Sequence, residues 1–180
     1  MAFATETDLR YPIGKFEPVS NLTADQRAAF IQQIEGAPAK LRAAVAGLDD
    51  QQLDTPYRPG GWTVRQTVHH VPDSHMNAFT RVKLALTEEV PTIKPYLEAR
   101  WAELADAKAP IGPSLDLLDA LHKRWVSLLR SLTPSDWQRE FLHPELNRRM
   151  SLDQTLALYA WHGRHHVAHI TALRERNSWR

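Results

Sequence analysis

Four of the nine histidines in this chain, His162, His165, His166 and His169, fall inside the stretch "WHGRHHVAHI" near its C-terminal end. At 3.6 residues per turn, positions four apart lie almost above one another, so His162 sits over His166 and His165 over His169. All four share one helical face. Leu158 lies one turn before His162 on that face, while Tyr159, Ile170 and Leu173 form a second apolar face, so the histidines are expected to point inward. An inward ring needs partners for both nitrogens, because an unsatisfied buried polar group costs about 1–3 kcal/mol. A metal ion would satisfy several rings at once, and imidazole suits Zn, Ni, Cu and Fe. The alternative is that each ring donates to a backbone carbonyl or a carboxylate on a neighbouring helix. A surface cluster is disfavoured by the flanking Trp161, Val167 and Ile170.

A catalytic site of this kind usually takes three protein ligands and keeps one position open. The second concentration of histidines, His69, His70 and His75 in "HHVPDSH", is the natural source of the third. Periodicity places His75 on the apolar stripe of Val64, Val68, Val71 and Phe79. His70 falls instead with Ser74, Asn77 and Arg81, a row that is either a solvated face or the wall of a polar pocket. Those two readings stay open on spacing alone. One familiar class is excluded, since zincin proteases need H-E-x-x-H and here Gly163 follows His162. Serine-hydrolase, Walker and dinucleotide-binding signatures are also missing.

The composition narrows the rest. The chain has 180 residues, 43% of them hydrophobic and 24% charged, which suits one domain spanning 1–180. A net charge of +1 offers no broad footprint for nucleic acid or an anionic membrane. Without cysteine there is no disulfide, thiolate ligand or cysteine nucleophile, and any metal must be held by nitrogen and oxygen. No signal-like N-terminus or long apolar run occurs, so a cytoplasmic location is the expectation.

The elements that must position the histidines are marked by capping boxes, in which a Ser or Thr hydroxyl and a Gln three residues later satisfy the first free N–H groups reciprocally. Thr23 with Gln26 opens a first helix to about Gly47, which Gly36 and Pro38 should break or bend. "DTPYRPGGW" must be a loop. Thr63 with Gln66 opens a second long helix to about Thr87, bent by Pro72. A short helix is expected between Glu88 and Pro113. Ser114 is expected to cap a third long helix with the apolar face Leu115, Leu118, Leu121, His122, Trp125, Leu128, Leu129 and Leu132. "TPSDW" makes a single turn, and "REFLHPELNRRM" is a hairpin or an irregular crossing. Ser151 with Gln154 opens the histidine helix. Four amphipathic helices, an extended arm over residues 1–22 and short extra helices predict an all-α four-helix bundle.

The stretches "YPIGKF", "LDTPYRPGGWTVRQTVHHVPDSHMNAF" and "LALYAWHGRHHVAHI" together resemble the YfiT-like branch of the DinB superfamily, which contains metal-dependent hydrolases and bacillithiol S-transferases. The resemblance implies a four-helix bundle, a homodimer, and one Zn or Ni ion per subunit held by three histidines. On the matching positions these are His70, His162 and His166, which leaves His165 and His169 as supporting or core residues. Pro72 departs from the alanine frequent in relatives.

Three neutral imidazoles leave the ion's charge intact, so an open position would activate either water or a thiol near neutral pH. The expected reaction is therefore hydrolysis or thiol transfer on a small electrophilic substrate, with a non-catalytic, metal-stabilised binding module as the alternative. Asp73, three residues after His70, is a weak candidate that could orient that ring, accept a proton or merely solvate the helix surface, with orientation or solvation favoured over general base, and His143 is a weak candidate for supporting the metal ligands. Arg58, Arg65, Arg81 and Arg164 are candidate contacts for an anionic cosubstrate, and Tyr57 and Trp62 for the pocket mouth.

Overall fold

Capping decides where the long helices of this protein begin. The computed structural model describes residues 8–179; residues 1–7 of the expected arm lie outside them. Capping boxes open α1 (Ala24–Val45), α3 (Val64–Thr87) and α6 (Leu152–Arg176) at Thr23, Thr63 and Ser151. A further box at Asp49 and Gln52, which the sequence reading passed over, starts the short α2 (Asp50–Leu53). The expected short helix is α4 (Glu98–Trp101). The remaining long helix, α5 (Gly112–Arg130), differs from expectation at its start. Ile111 is the N-cap and Pro113 lies in the first turn, where a missing N–H costs nothing. Ser114 is already helical, and its hydroxyl is used elsewhere.

Gly36 and Pro38 do not break the first helix: α1 runs through both without interruption. Pro38 removes one backbone donor, and the helix persists because Ile31, Ile34, Ala37, Leu41, Ala44 and Val45 are all buried along it. α3 likewise continues through Pro72. "REFLHPELNRRM" resolves as a hairpin, β1 (Glu140–His143) antiparallel to β2 (Arg148–Ser151), with Phe141 opposite Met150 and both buried.

The four long helices form the bundle. α1 packs against α5 and α6, and α3 packs against the same two, which places α1 opposite α3 and α5 opposite α6. Their apolar residues form two clusters. One gathers Ile34, Phe79, Trp125 and Leu156, the other Leu41, Val68, Leu118 and Ile170. α1 and α6 run from the first cluster to the second, whereas α3 and α5 run from the second to the first. Because α3 and α5 point the same way, the chain between them must return along the outside of the bundle. Segment 88–111 does so, held at one end by Ile93 N–H on the Leu142 carbonyl and at the other by Gln66 on the Ala102 carbonyl.

Two polar fastenings fix the outer segments. Asp153, 1% exposed, accepts from Arg27 Nε at 2.7 Å and Nη2 at 2.8 Å and from the Leu22 N–H at 3.1 Å. The arm over residues 8–22 then lies along α6, with Phe16 against Trp161 and the Arg10 carbonyl accepting from His169 Nε2 at 3.2 Å. No helix among the described residues is long and apolar enough to cross a membrane.

Candidate metal centre

Between the two apolar clusters lies a layer of histidines, contributed by α3, α5 and α6. His162 and His166, one turn apart on α6, turn their Nε2 atoms to the same point, 3.2 Å from each other. His70 on α3 brings its own Nε2 to 3.3 Å from that of His162. All three ligand atoms lie within 4.8 Å of one another, the one group of three such side chains among the described residues. Zn–N bonds of about 2.05 Å at tetrahedral angles would place ligand nitrogens about 3.3 Å apart. Two edges of the triangle meet that spacing, and the donor set, three imidazoles with no thiolate, fits a divalent transition-metal ion.

Burial keeps these rings neutral. It holds His70 down to about 4 and drives His162 and His166 well below the ordinary value of 6.5, with neighbouring imidazoles adding to the effect at the last two. Neutral rings offer lone pairs, the form a metal requires. Trp62 packs its ring 4.6 Å from that of His70. The loop that delivers it is closed by Tyr57 N–H on the Trp62 carbonyl and Val64 N–H on the Thr55 carbonyl. Gly61 in that loop has no room for a side chain, since a Cβ there would stand 2.7 Å from Arg58 Cγ.

The histidines outside the triangle have other work. His69 donates from Nε2 to the Ala109 carbonyl at 3.0 Å and accepts at Nδ1 from the Ser114 hydroxyl at 2.7 Å, tying α3 to the start of α5. His165 stacks on Trp161, with centroids 4.2 Å apart, and His169 stacks on Tyr57 at 4.0 Å. His75, fully buried, has both nitrogens partnered, as the apolar-stripe reading expects. The row of His70, Ser74 and Asn77 is an interior wall at His70 and Ser74, both buried, and Asn77 is half-buried.

Asp73 is half-buried, and its carboxyl is pushed up to about 6 by burial and by the charge of Asp106. It makes no hydrogen bond to His70 among the described contacts, so orientation of that ring by Asp73 has no support. His143 ends β1 with Nδ1 buried and unpartnered, its pKa lowered by burial and by Arg81. Arg65 is committed to Asp54 at 2.6 Å and Asp50 at 2.7 Å. Arg58, Arg81 and Arg164 each rest on a backbone carbonyl. Sequence reasoning missed His122, counted there in an apolar face. The signal was available: a histidine among leucines is a buried polar group in need of a partner.

The sequence pattern of the DinB superfamily matches residues 33–170, from the middle of α1 through most of α6. The chain belongs to the DinB superfamily. A protein of Bacillus mycoides (strain KBAB4), named as a candidate metal-dependent hydrolase, is 59% identical over 172 residues, covering 96% of this chain and 99% of its own. A Bacillus cereus (strain B4264) protein of the same name is 58% identical over the same coverage. Among solved structures, YfiT from Bacillus subtilis superposes with a TM-score of 0.94 at 51% identity, covering 96% of this chain and 99% of its own. It is described as a candidate metal-dependent hydrolase with an unusual four-helix bundle topology. The four-helix bundle protein TT2238 shares the fold at a TM-score of 0.57 and 19% identity, covering 81% of this chain and 98% of its own.

Proposed function

We propose that this protein is a metal-dependent enzyme in which His70, His162 and His166 hold one divalent ion, Zn or Ni, and leave a position open to water or a low-molecular-weight thiol. The observation that carries the reading is the convergence of three neutral Nε2 atoms at metal-ligand spacing in a polar layer between two apolar clusters. A bound ion supplies Lewis acidity that makes water or a thiol nucleophilic near neutral pH. The substrate is a small electrophile, attacked by hydrolysis or by thiol transfer. The names of the Bacillus relatives support hydrolysis, and the family resemblance alone supports thiol transfer.

The protein's own groups do the remaining work. Trp62 covers one face of His70 and limits how that ring can turn. Partial exposure of His162 supports access from solvent. Asp73, three residues beyond His70 on α3 and titrating at about 6, can take up and release a proton near neutral pH. His143 is the second candidate for that task.

The test is elemental analysis of protein made without a histidine tag, beside His70→Ala, His162→Ala and His166→Ala. About one divalent ion per chain, absent from all three variants, is the expected result. Wild-type protein that stays metal-free after Zn²⁺ or Ni²⁺ is added back refutes the reading. Loaded protein is then assayed on activated esters and amides and on thiol conjugation to a small electrophile, which separates the two reactions.

A further inference from the structure

Behind His162 a line of hydrogen bonds crosses the whole bundle. His162 Nδ1 faces His75 Nε2 at 3.1 Å. His75 Nδ1 faces His122 Nε2 at 2.8 Å, with the two rings stacked at 15°. His122 Nδ1 reaches the Ile34 carbonyl at 2.6 Å. The four residues belong to α6, α3, α5 and α1 in turn, so each long helix supplies one link.

The far end fixes every proton in the line. A carbonyl oxygen can only accept, so His122 must carry its proton on Nδ1. His122 and His75 are 2% and 0% exposed, and charge on either ring would have no compensating partner. A neutral His122 protonated at Nδ1 has a bare Nε2, which must accept from His75 Nδ1–H. His75 Nε2 is then bare and accepts from His162 Nδ1–H. His162 is left with its Nε2 lone pair facing His70 and His166. The reverse ordering would set two lone pairs against each other at 2.8 Å.

The Ile34 carbonyl is free to end the line because of Pro38. In α1 the carbonyl of residue 34 would normally accept from the N–H of residue 38, and proline has none. A residue whose only visible effect is to weaken a helix thus provides the acceptor that His122 uses.

We infer that Ile34, His122 and His75 form a proton-ordered relay that locks His162 in the Nδ1–H tautomer, making it the pre-set ligand of the metal centre and His75 a positioning residue. The inference rests on the metal reading above only in its last step. His70 and His166 have no such support: His166 Nδ1 is buried without a partner, and no described bond fixes His70 Nδ1. In metal-free protein one of them at a time can donate from Nε2 to the single Nε2 lone pair of His162. They exchange that proton to Nδ1 when a metal takes its place.

The test uses ¹⁵N-histidine-labelled full-length protein in chelator, with long-range ¹H–¹⁵N correlations to read each ring's tautomer, repeated after one equivalent of Zn²⁺. The expected result is Nδ1–H for His122, His75 and His162, unchanged by Zn²⁺. An Nε2–H on any of the three in the metal-free protein overturns the relay. A second arm compares Zn²⁺ affinity, by competition with a chromophoric chelator, in His75→Leu and His75→Gln.

Glutamine can accept from His162 and donate to His122, whereas leucine can do neither. Loss of about 10–100-fold in His75→Leu, largely recovered in His75→Gln, is expected. Equal loss in two variants that both unfold at the wild-type temperature overturns the positioning role. Wild-type protein that binds no Zn²⁺ but shows the three ordered tautomers would refute the metal reading and leave the relay standing. One Zn²⁺ per chain with disordered tautomers would do the opposite.

Discussion

Taking the metal-free protein from pH 7 to pH 5 is expected to lower its unfolding free energy by at least about 3 kcal/mol. Burial depresses His70 and His122 to about 4 from an ordinary 6.5. As pH falls through 6.5 the unfolded chain takes up protons that the folded rings refuse, so stability drops until pH reaches the folded values. Between pH 7 and pH 5 each ring contributes a loss of about 2 kcal/mol. His75, His162 and His166 are shifted the same way, which makes about 4 kcal/mol a lower bound for the histidines.

Asp73 works against them. Its folded pKa of about 6 lies above the ordinary 3.8, so the folded state binds a proton first and gains stability as pH falls through 6. Solvent screening of a half-exposed carboxyl holds that gain to about 1 kcal/mol. Urea titrations in chelator at the two pH values measure the difference directly, provided the slope with denaturant stays constant. His122→Gln should reduce the pH-dependent loss by about 2 kcal/mol, and Asp73→Asn should increase it by about 1 kcal/mol. Stability that is flat or rises between pH 7 and pH 5, or a His122→Gln variant with the wild-type pH dependence, would refute the assignment of buried neutral rings.

Two further predictions concern the frame around the site. Asp153→Ala strands Arg27 and the Leu22 N–H beside an emptied buried position, and is expected to cost about 3 kcal/mol in denaturant unfolding. Arg27→Ala in that background should then add little, because the partners share one interaction. At Gly163 on α6 a Cβ would stand 3.3 Å from Ala37 Cβ on α1 and 3.7 Å from His75 Cε1. Gly163→Val is therefore expected to cost about 1–3 kcal/mol by overpacking, and to shift the His75 resonances; a variant as stable as wild type with unmoved His75 signals would show that α1 and α6 are not in close contact there.

What the sequence determined by itself was local. Thr23, Thr63 and Ser151 each stand three residues before a glutamine, and a capping box is complete within four residues, so three of the long helices could be started from the chain alone. The placement of His162 above His166 needs only the 3.6-residue period. The fold family was legible from the long motifs that carry the resemblance.

What only the tertiary structure decided was anything that depends on which atoms meet across helices. Whether His70 or His75 meets the Nε2 atoms of the α6 pair depends on the rotation of α3 about its axis, set by packing two apolar clusters at once, and no spacing within α3 contains that angle. Ser114 reads as a cap from its neighbours and turns out to serve His69, forty-five positions away in the chain. Pro38 reads as a break or bend in α1, and His122 and His75 read as core. Their connection arises because a carbonyl freed in one helix lies 2.6 Å from a ring on another, a consequence of the way α1, α3, α5 and α6 are assembled.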